Sequence, residues 1–136
     1  MAEHPLTIIA PIKSAGTFLA GHVNRLVSLV REANAELLVI DNNEDHAELN
    51  FIKNTIAEFK DLTVRFEKND RDLGVHGSLQ KALMMTQTPY VTYVAADDIL
   101  FSEYLNGAVD VLTTHPSVSV VWGRCYAAKV GDLKKF

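Results

Sequence analysis

The chain has 136 residues, of which 48% are hydrophobic and 22% are charged, a composition that fits one globular domain with a core of its own. A net charge of −4, with no basic stripe outside the tail Lys134–Lys135, argues against a nucleic-acid-binding protein. No apolar run approaches the length of a membrane span and the N-terminus lacks a signal-peptide pattern, so we expect a cytoplasmic protein without a transmembrane segment.

The first part of the chain alternates apolar runs with amphipathic periodicity. Residues 6–11 form a continuous apolar run, which is typical of a strand covered on both faces. Apolar residues then recur at spacings of three and four over 17–33, which predicts a helix. A second apolar run at 36–40 predicts another buried strand, which ends at Asp41. This stretch therefore predicts a strand–helix–strand unit.

The alternation continues through the rest of the chain. Asp45 and Glu48 have the spacing of a capping box, in which Glu48 would reach back to the start of the next helix. An alternating segment at 62–66 predicts a third strand near a sheet edge, and the β-branched and aromatic run at 90–94 predicts a central strand. The other expected elements are a helix at about 76–86, a helix that is capped by Ser102 and ends before Pro116, and a fifth strand at 117–122.

Strands that alternate with helices at this spacing predict an α/β fold. We expect a single domain over 1–136, with a mostly parallel sheet of about five strands and helices on both of its faces. Trp122 and the single cysteine, Cys125, lie in or beside the last apolar segment, so we expect both to be buried and the thiol to be unreactive.

Several common α/β sites are excluded by their missing motifs. The turn after the first strand has neither a dinucleotide-binding nor a P-loop glycine pattern, and no nucleophile elbow occurs in the chain. The five histidines and the cysteine do not have the spacing of a zinc site. The candidate site residues that remain after this elimination are acidic side chains.

Acidic residues follow two of the predicted strands. Asp41 ends the second strand, and Asp97 and Asp98 end the fourth. Adjacent carboxylates repel each other, so a cation, backbone N–H groups or water must compensate them. If the first strand lies between these two, as in doubly wound sheets, then Asp41, the loop at 11–14 and Asp97 face one crevice. Carboxylates there suit Mg²⁺ or Mn²⁺ held together with substrate phosphates, so the residues predict a metal–nucleotide site.

Motifs in four stretches then point to a family. After the apolar opening strand, ELLVIDNNED at 36–45 is similar to a V-D-D-G-S motif, and DLGVHGSLQKAL at 72–83 is similar to N-x-G-x-x-x-A-R-N-x-G. VAADDIL at 94–100 is similar to a D-A-D-D segment. In this order and spacing, from Leu6 to about Gly123, the chain resembles the family 2 glycosyltransferases, which have the GT-A fold.

The chain departs from the family pattern at a few positions. Asn42, Asn43 and Glu44 stand where the family often has Asp, Gly and Ser. Ala95 replaces the first Asp of the D-x-D motif, while Asp97 is retained. Leu79 and Gln80 replace a frequent Arg and Asn.

The resemblance implies a Rossmann-like GT-A sandwich that binds a nucleotide-diphospho-sugar, with a UDP-sugar as the expected donor, for inverting transfer of the sugar. It implies Mg²⁺ or Mn²⁺ as cofactor, with Asp97 and Asp98 as the metal ligands. The nucleotide-binding residues that it implies are Pro11, Ile12, Ser14, Asp41, Asp72, Gly74 and Ala96.

Members of the family also carry a second half with the acceptor site and a catalytic base. We therefore expect this chain to be the nucleotide-sugar-binding half, with an unknown acceptor and with no catalytic base among its own residues. Such a half leaves a sheet edge and apolar surface exposed, which predicts self-association into a homo-oligomer.

Two other functions are compatible with an α/β chain of this size. The first is a non-catalytic nucleotide-binding or assembly module of the same fold, which the replacements at Leu79 and Ala95 favour. The second is a phosphoacceptor receiver domain, which needs an acid pair after the first strand and a lysine after the fifth. The sequence has Pro11–Ile12–Lys13 and Trp122–Gly123–Arg124 at those places, so the receiver is disfavoured.

Overall fold

The computed structural model describes residues 4–129, so the tail Lys134–Lys135 lies outside the described residues. Strands and helices alternate along the described chain, as the sequence predicts. The strands are β1 (Leu6–Ile12), β2 (Ala35–Asp41), β3 (Val64–Lys68) and β4 (Tyr90–Tyr93). The helices are α1 (Leu19–Glu32), preceded by a short 3-10 helix (Gly16–Phe18), α2 (Ala47–Ile56), α3 (Gly74–Met85) and α4 (Ser102–Thr114).

The four strands form one parallel sheet in the order β3-β2-β1-β4. The first strand lies between the second and the fourth, which is the condition for the single crevice expected from the sequence. In the register of the sheet, Ile12 lies beside Asp41, and Asp41 lies beside Lys68. The carboxyl ends of β1, β2 and β3 therefore finish level with one another at one edge of the sheet.

The apolar residues of β1 and β2 supply the core on both faces of the sheet. Successive residues of a strand point to opposite faces, so a continuous apolar run is buried on both sides. On one face, Ile8 and Leu37 pack with the apolar sides of α1 and α2. On the other face, Ile9 and Leu38 pack with Ala82 of α3. The predicted helices on both faces of an α/β sheet are confirmed.

The prediction that 90–94 is a central strand is wrong for the described sheet. β4 lies at its edge, where Val91 is 42% and Tyr93 is 56% exposed. The predicted fifth strand at 117–122 has no regular secondary structure. Its backbone contacts α4 instead, where the Tyr104 hydroxyl donates to the Val121 carbonyl at 3.0 Å. A cavity of about 230 Å³ is left between this segment and β4.

Because the segment at 117–122 does not join the sheet, two side chains that are predicted to be buried are exposed. Trp122 is 83% exposed and Cys125 is also exposed, so both predictions are wrong. Their segment is not part of the sheet, and the apolar pattern of the sequence alone could not show that. Among residues 4–129, no helix combines the length and the apolar character needed to cross a membrane.

One titratable side chain lies within the buried face of α1. His22 is 1% exposed, and its Nε2 has no hydrogen-bond partner among the described residues. Burial is the main cause that lowers the pKa of His22, to about 4; nearby Arg25 lowers it further and Asp97 opposes the shift. The folded protein therefore keeps this imidazole neutral at pH values where the unfolded chain protonates it.

The lowered pKa of His22 predicts that the protein loses stability in mild acid. Between about pH 6.5 and pH 4 the unfolded state binds a proton that the folded state does not, so the free energy of unfolding falls as the pH falls. For a shift of this size we expect a loss of about 2 kcal/mol between pH 7.5 and pH 5, measured by urea denaturation. His22→Gln should remove most of this dependence, whereas His76→Gln, at an exposed position, should retain it. An unchanged dependence in His22→Gln would contradict this assignment.

Candidate functional site

Asp41, the acid at the end of β2, points into the protein. It is 0% exposed, and its Oδ2 accepts a hydrogen bond from Lys68 Nζ at 3.1 Å. Its Oδ1 accepts from the backbone N–H and the side-chain Nδ2 of Asn43, at 3.1 and 2.8 Å. Lys68 also donates to the carbonyls of Asn43 and Asp45. The carboxylate is therefore neutralised and hydrogen-bonded inside the fold, and it holds the turn after β2 in place.

Asp72 is the carboxylate that the β2 and β3 ends present to solvent. Its Oδ1 accepts from Gly74 N at 2.8 Å and from Asn42 Nδ2 at 2.6 Å, and its Oδ2 accepts from Lys13 Nζ. The hydrogen bond from Lys13 is the largest of the causes that lower the pKa of Asp72 to about 2, followed by those from Gly74 and Asn42. Gly74 adopts φ +66°, a conformation that glycine reaches without strain. Asp72 is thus ionised at neutral pH.

A buried amide network lies beneath Asp72. Asn69 Nδ2 donates to Asn42 Oδ1 at 2.8 Å and to Ser78 Oγ at 2.9 Å, and Leu73 N donates to Asn42 Oδ1 at 3.0 Å. Because Asn42 and Asn69 directly follow β2 and β3 and Ser78 lies in α3, these bonds fix the three elements relative to one another. Buried polar groups need such partners, since an unpaired one costs about 1–3 kcal/mol.

The loop after β1 approaches the same edge. Ile12 is buried and its carbonyl accepts from Asn42 N at 2.8 Å, while Pro11 is half-buried beside Ile40 of β2. Ser14 is exposed, has φ +49°, and donates its N–H to Asn43 Oδ1 at 2.8 Å. Lys13 leaves this loop towards Asp72. The loop is therefore bonded both to the turn after β2 and to the loop after β3.

The predicted capping box at Asp45 and Glu48 is only half right. Asp45 Oδ1 accepts from Ala47 N at 2.9 Å, so it bonds the first amide of α2. Glu48 does not reach back; its two oxygens accept from Ala15 N at 3.2 Å and Gly16 N at 3.0 Å, in the loop after β1. The Glu48 carboxylate, which the local spacing assigns to the start of α2, therefore bonds a loop that is distant in sequence.

The acid pair after β4 forms a separate group. Asp97 and Asp98 are exposed, and the turn that carries them is closed by Asp98 N donating to Ala95 O at 3.1 Å. The carbonyl of Ala96 accepts a long bond, 3.5 Å, from Arg25 Nη2 of α1. Between residues 4 and 129 no group of three or more His, Cys, Asp or Glu side chains could hold a metal ion. The two carboxylates are oxygen ligands of the type that Mg²⁺ and Mn²⁺ accept, but the described residues form no metal cage by themselves.

The structure brings most of the predicted nucleotide-binding residues together. Ser14, Asp72 and Gly74 join through Lys13, Asn42 and Asn43 in one network with the buried Asp41. Ala96 and the acid pair lie beyond the other side of β1, past the end of β4. β3, which precedes Asp72, and β4, which precedes the acid pair, are the two outer strands of the described sheet, and at about 4.8 Å per strand they lie about 14 Å apart.

Sequence reasoning missed four residues of this network. None of Lys13, Lys68, Asn69 and Ser78 is predicted from the sequence as a site residue. Asn69 directly follows β3, and a polar residue at the carboxyl end of a strand is the signal that could have identified it.

The arrangement can contact an elongated, partly anionic ligand at two points. One end offers exposed hydrogen-bonding groups from Lys13, Ser14 and Asp72, and the other offers two carboxylates able to share a cation. No catalytic base for transfer to an acceptor is identified among these groups.

Comparisons with known proteins agree with the fold. The chain superposes on the structure of S. aureus TarS 1-349 in complex with UDP-GlcNAc with a TM-score of 0.68 at 18% sequence identity, covering 90% of this chain and 37% of TarS 1-349. It also superposes on the mannosyltransferase PcManGT from Pyrobaculum calidifontis, in complex with GDP-Man and Mn²⁺, with a TM-score of 0.65 at 19% identity, covering 82% of this chain and 34% of the other. The chain thus spans little more than a third of the length of these two chains. No match was found among curated protein sequences.

The sequence model described as "Glycosyl transferase family 2" matches residues 7–135, which is nearly the whole chain. With the parallel sheet, the strand order and the GT-A relatives, the predicted resemblance is confirmed: the chain belongs to glycosyltransferase family 2.

Proposed function

We propose that this chain binds the nucleotide-diphospho-sugar donor of a glycosyl transfer, with the nucleotide lying along the carboxyl edge of the sheet. The observation that carries the proposal is the convergence of the β1 loop, Asp72 and the Asp97–Asp98 turn at this edge in a member of family 2. In open parallel sheets this edge is where ligands bind.

The nucleoside lies at the β1–β2–β3 side in this proposal. Asp72 and the backbone of the loop at 11–14 present the exposed polar groups that can hydrogen-bond a base and ribose. Asp41 contributes indirectly, because its carboxylate is buried and occupied by Lys68 and Asn43. The separation of about 14 Å between β3 and β4 leaves room for a nucleoside, which then places its diphosphate past β1.

Asp97 and Asp98 hold the divalent cation with the diphosphate. When bound, Mg²⁺ or Mn²⁺ supplies Lewis-acid stabilisation of the charge on the diphosphate leaving group. Family membership favours inverting transfer, in which an acceptor hydroxyl attacks the sugar carbon that bears the diphosphate. This chain's residues bind and orient the donor, and the base that takes the proton from the acceptor is not assigned to any of them.

The donor that we expect first is a UDP-sugar. TarS was solved with UDP-GlcNAc and with UDP, whereas PcManGT was solved with GDP-Man, so GDP is the second nucleotide to test. The alternative function is a non-catalytic nucleotide-binding module. Ala95, which stands in place of the first acid of the D-x-D motif, favours it because it removes a possible metal ligand.

Binding of UDP should depend on a divalent cation and on Asp97. Because the acid pair forms no metal cage without phosphates, we expect Mn²⁺ alone to bind weakly and to strengthen UDP binding by about tenfold or more. Asp97→Ala should lose this gain and keep the affinity for UDP without metal, whereas Asp110→Ala, at an exposed position on α4, should behave as wild type. Calorimetric titration measures each case. Equal UDP affinity with and without Mn²⁺ in the wild type would favour the non-catalytic module.

Asp41 and Asp72 should separate into a structural and a ligand-binding role. Asp41→Asn leaves the Lys68 ammonium in the fold without its counter-charge, so we expect the free energy of unfolding to fall by about 2 kcal/mol or more. Asp72→Ala removes an exposed ion pair and the hydrogen bond from Asn42, so the urea midpoint should fall less than in Asp41→Asn while UDP affinity in Mn²⁺ falls severalfold. An Asp41→Asn variant as stable as wild type, or an Asp72→Ala variant with full UDP affinity, would contradict this division.

A further inference from the structure

Three successive amides after β1 are held by side chains from the segment that follows β2. Ser14 N donates to Asn43 Oδ1 at 2.8 Å, Ala15 N donates to Glu48 Oε2 at 3.2 Å, and Gly16 N donates to Glu48 Oε1 at 3.0 Å. Thirty or so residues of chain separate the donors from the acceptors. The shape of the loop therefore depends on a tertiary contact.

The backbone of this loop has the form of an anion-binding nest. Ser14 and Gly16 have φ +49° and +55°, and Ala15 between them has right-handed φ −66° and ψ −29°. Alternating left- and right-handed residues turn successive N–H groups towards one point, where they can bind an anion. The anion at that point is the Glu48 carboxylate. Left-handed backbone is disfavoured for serine, so the loop needs such a partner to keep this shape.

Asn43 connects the nest to the buried acid. Its Nδ2 donates to Asp41 Oδ1 at 2.8 Å and to Glu48 Oε2 at 3.0 Å, while its Oδ1 accepts from Ser14 N. The family often has glycine at this position, and glycine has no side chain with which to make these bonds. The departure at Asn43 thus has a physical role in this chain.

We propose that Glu48 is a positioning residue, which acts through the amides of the β1 loop and together with Asn43 to preset this loop for the nucleotide. The inference rests on the proposed function. Neither side chain needs to touch the nucleotide. A loop that is already in its binding conformation needs no ordering when the nucleotide binds. If the loop holds this conformation for only a fraction of the time, the apparent affinity is multiplied by that fraction.

The test measures loop opening and nucleotide affinity in the same variants. In Glu48→Ala, amide hydrogen exchange at Ala15 and Gly16 should accelerate by about tenfold or more, while the β1 and β2 amides and the urea midpoint stay close to wild type. UDP affinity in the presence of Mn²⁺ should fall by about fivefold or more. Glu44→Ala removes an exposed acid from the same connection and should change neither quantity.

Two further variants separate positioning from a general loss of structure. Glu48→Gln retains a carbonyl oxygen, so it should rescue part of both the exchange protection and the affinity. Asn43→Gly should lose exchange protection and affinity as Glu48→Ala does, but it should also lower the urea midpoint, because it removes a hydrogen bond to the buried Asp41 carboxylate. The double variant should lose less affinity than the product of the two single losses, because the side chains act in one network. The Gln variant keeps the test decisive if Glu48→Ala does not fold.

The outcomes distinguish this inference from the proposed function. Unchanged exchange at Ala15 and Gly16 in Glu48→Ala, or accelerated exchange with full UDP affinity, would overturn the positioning role. A wild-type chain that binds neither UDP nor GDP would overturn the proposed function and the nucleotide part of the inference, while the exchange data would still decide whether Glu48 holds the loop.

Discussion

The buried carboxylate of Asp41 is the constraint on which the rest of the site depends. A charge with 0% exposure must be paired and hydrogen-bonded, or it costs several kcal/mol. Lys68 provides the counter-charge from β3, and Asn43 provides two N–H donors from the turn after β2. Satisfying this one group therefore fixes two strand ends and a turn at the edge of the sheet.

Hydrogen bonds connect this carboxylate to the loop after β1. Asn43, which bonds Asp41, accepts from Ser14 N and donates to Glu48, and Glu48 accepts from Ala15 N and Gly16 N. Hydrogen-bonded polar groups beneath the exposed groups of the crevice thus hold those groups in place. This organisation suits a donor site, since a binding surface held in place loses less affinity to ordering.

The acid pair beyond β4 is organised differently. Asp97 and Asp98 are exposed on a short turn, at the sparsely covered edge of the described sheet. In the proposed function their side chains would gain a cation and phosphates only when the ligand binds, in keeping with the way Mg²⁺ is commonly bound. If the metal ion binds only together with the diphosphate, the metal raises the affinity for the nucleotide. The nucleotide then raises the affinity for the metal by the same factor.

The sequence predicts the elements of this fold better than the contacts between them. Apolar runs and helical periodicity are local, so they predict the strands and helices; the place of the first strand between the second and the fourth is only a condition, taken from doubly wound sheets. The pairing of Lys68 with Asp41 and the reach of Glu48 to Gly16 depend on which elements become neighbours, and no local spacing encodes that. For the same reason Glu48 was assigned to a helix cap and Trp122 to the core, because the pattern around each fits both a local and a tertiary role.

The most direct test of a donor site along this edge is to record amide NMR spectra of the 15.1 kDa chain with UDP and Mg²⁺, and then with Mn²⁺ in place of Mg²⁺. The account predicts shift changes at residues 13–16 and 72–74 with UDP and Mg²⁺, and Mn²⁺ broadening centred on Asp97 and Asp98 that requires UDP. Shift changes confined to the cavity between β4 and 119–121, or Mn²⁺ broadening that ignores UDP, would contradict it.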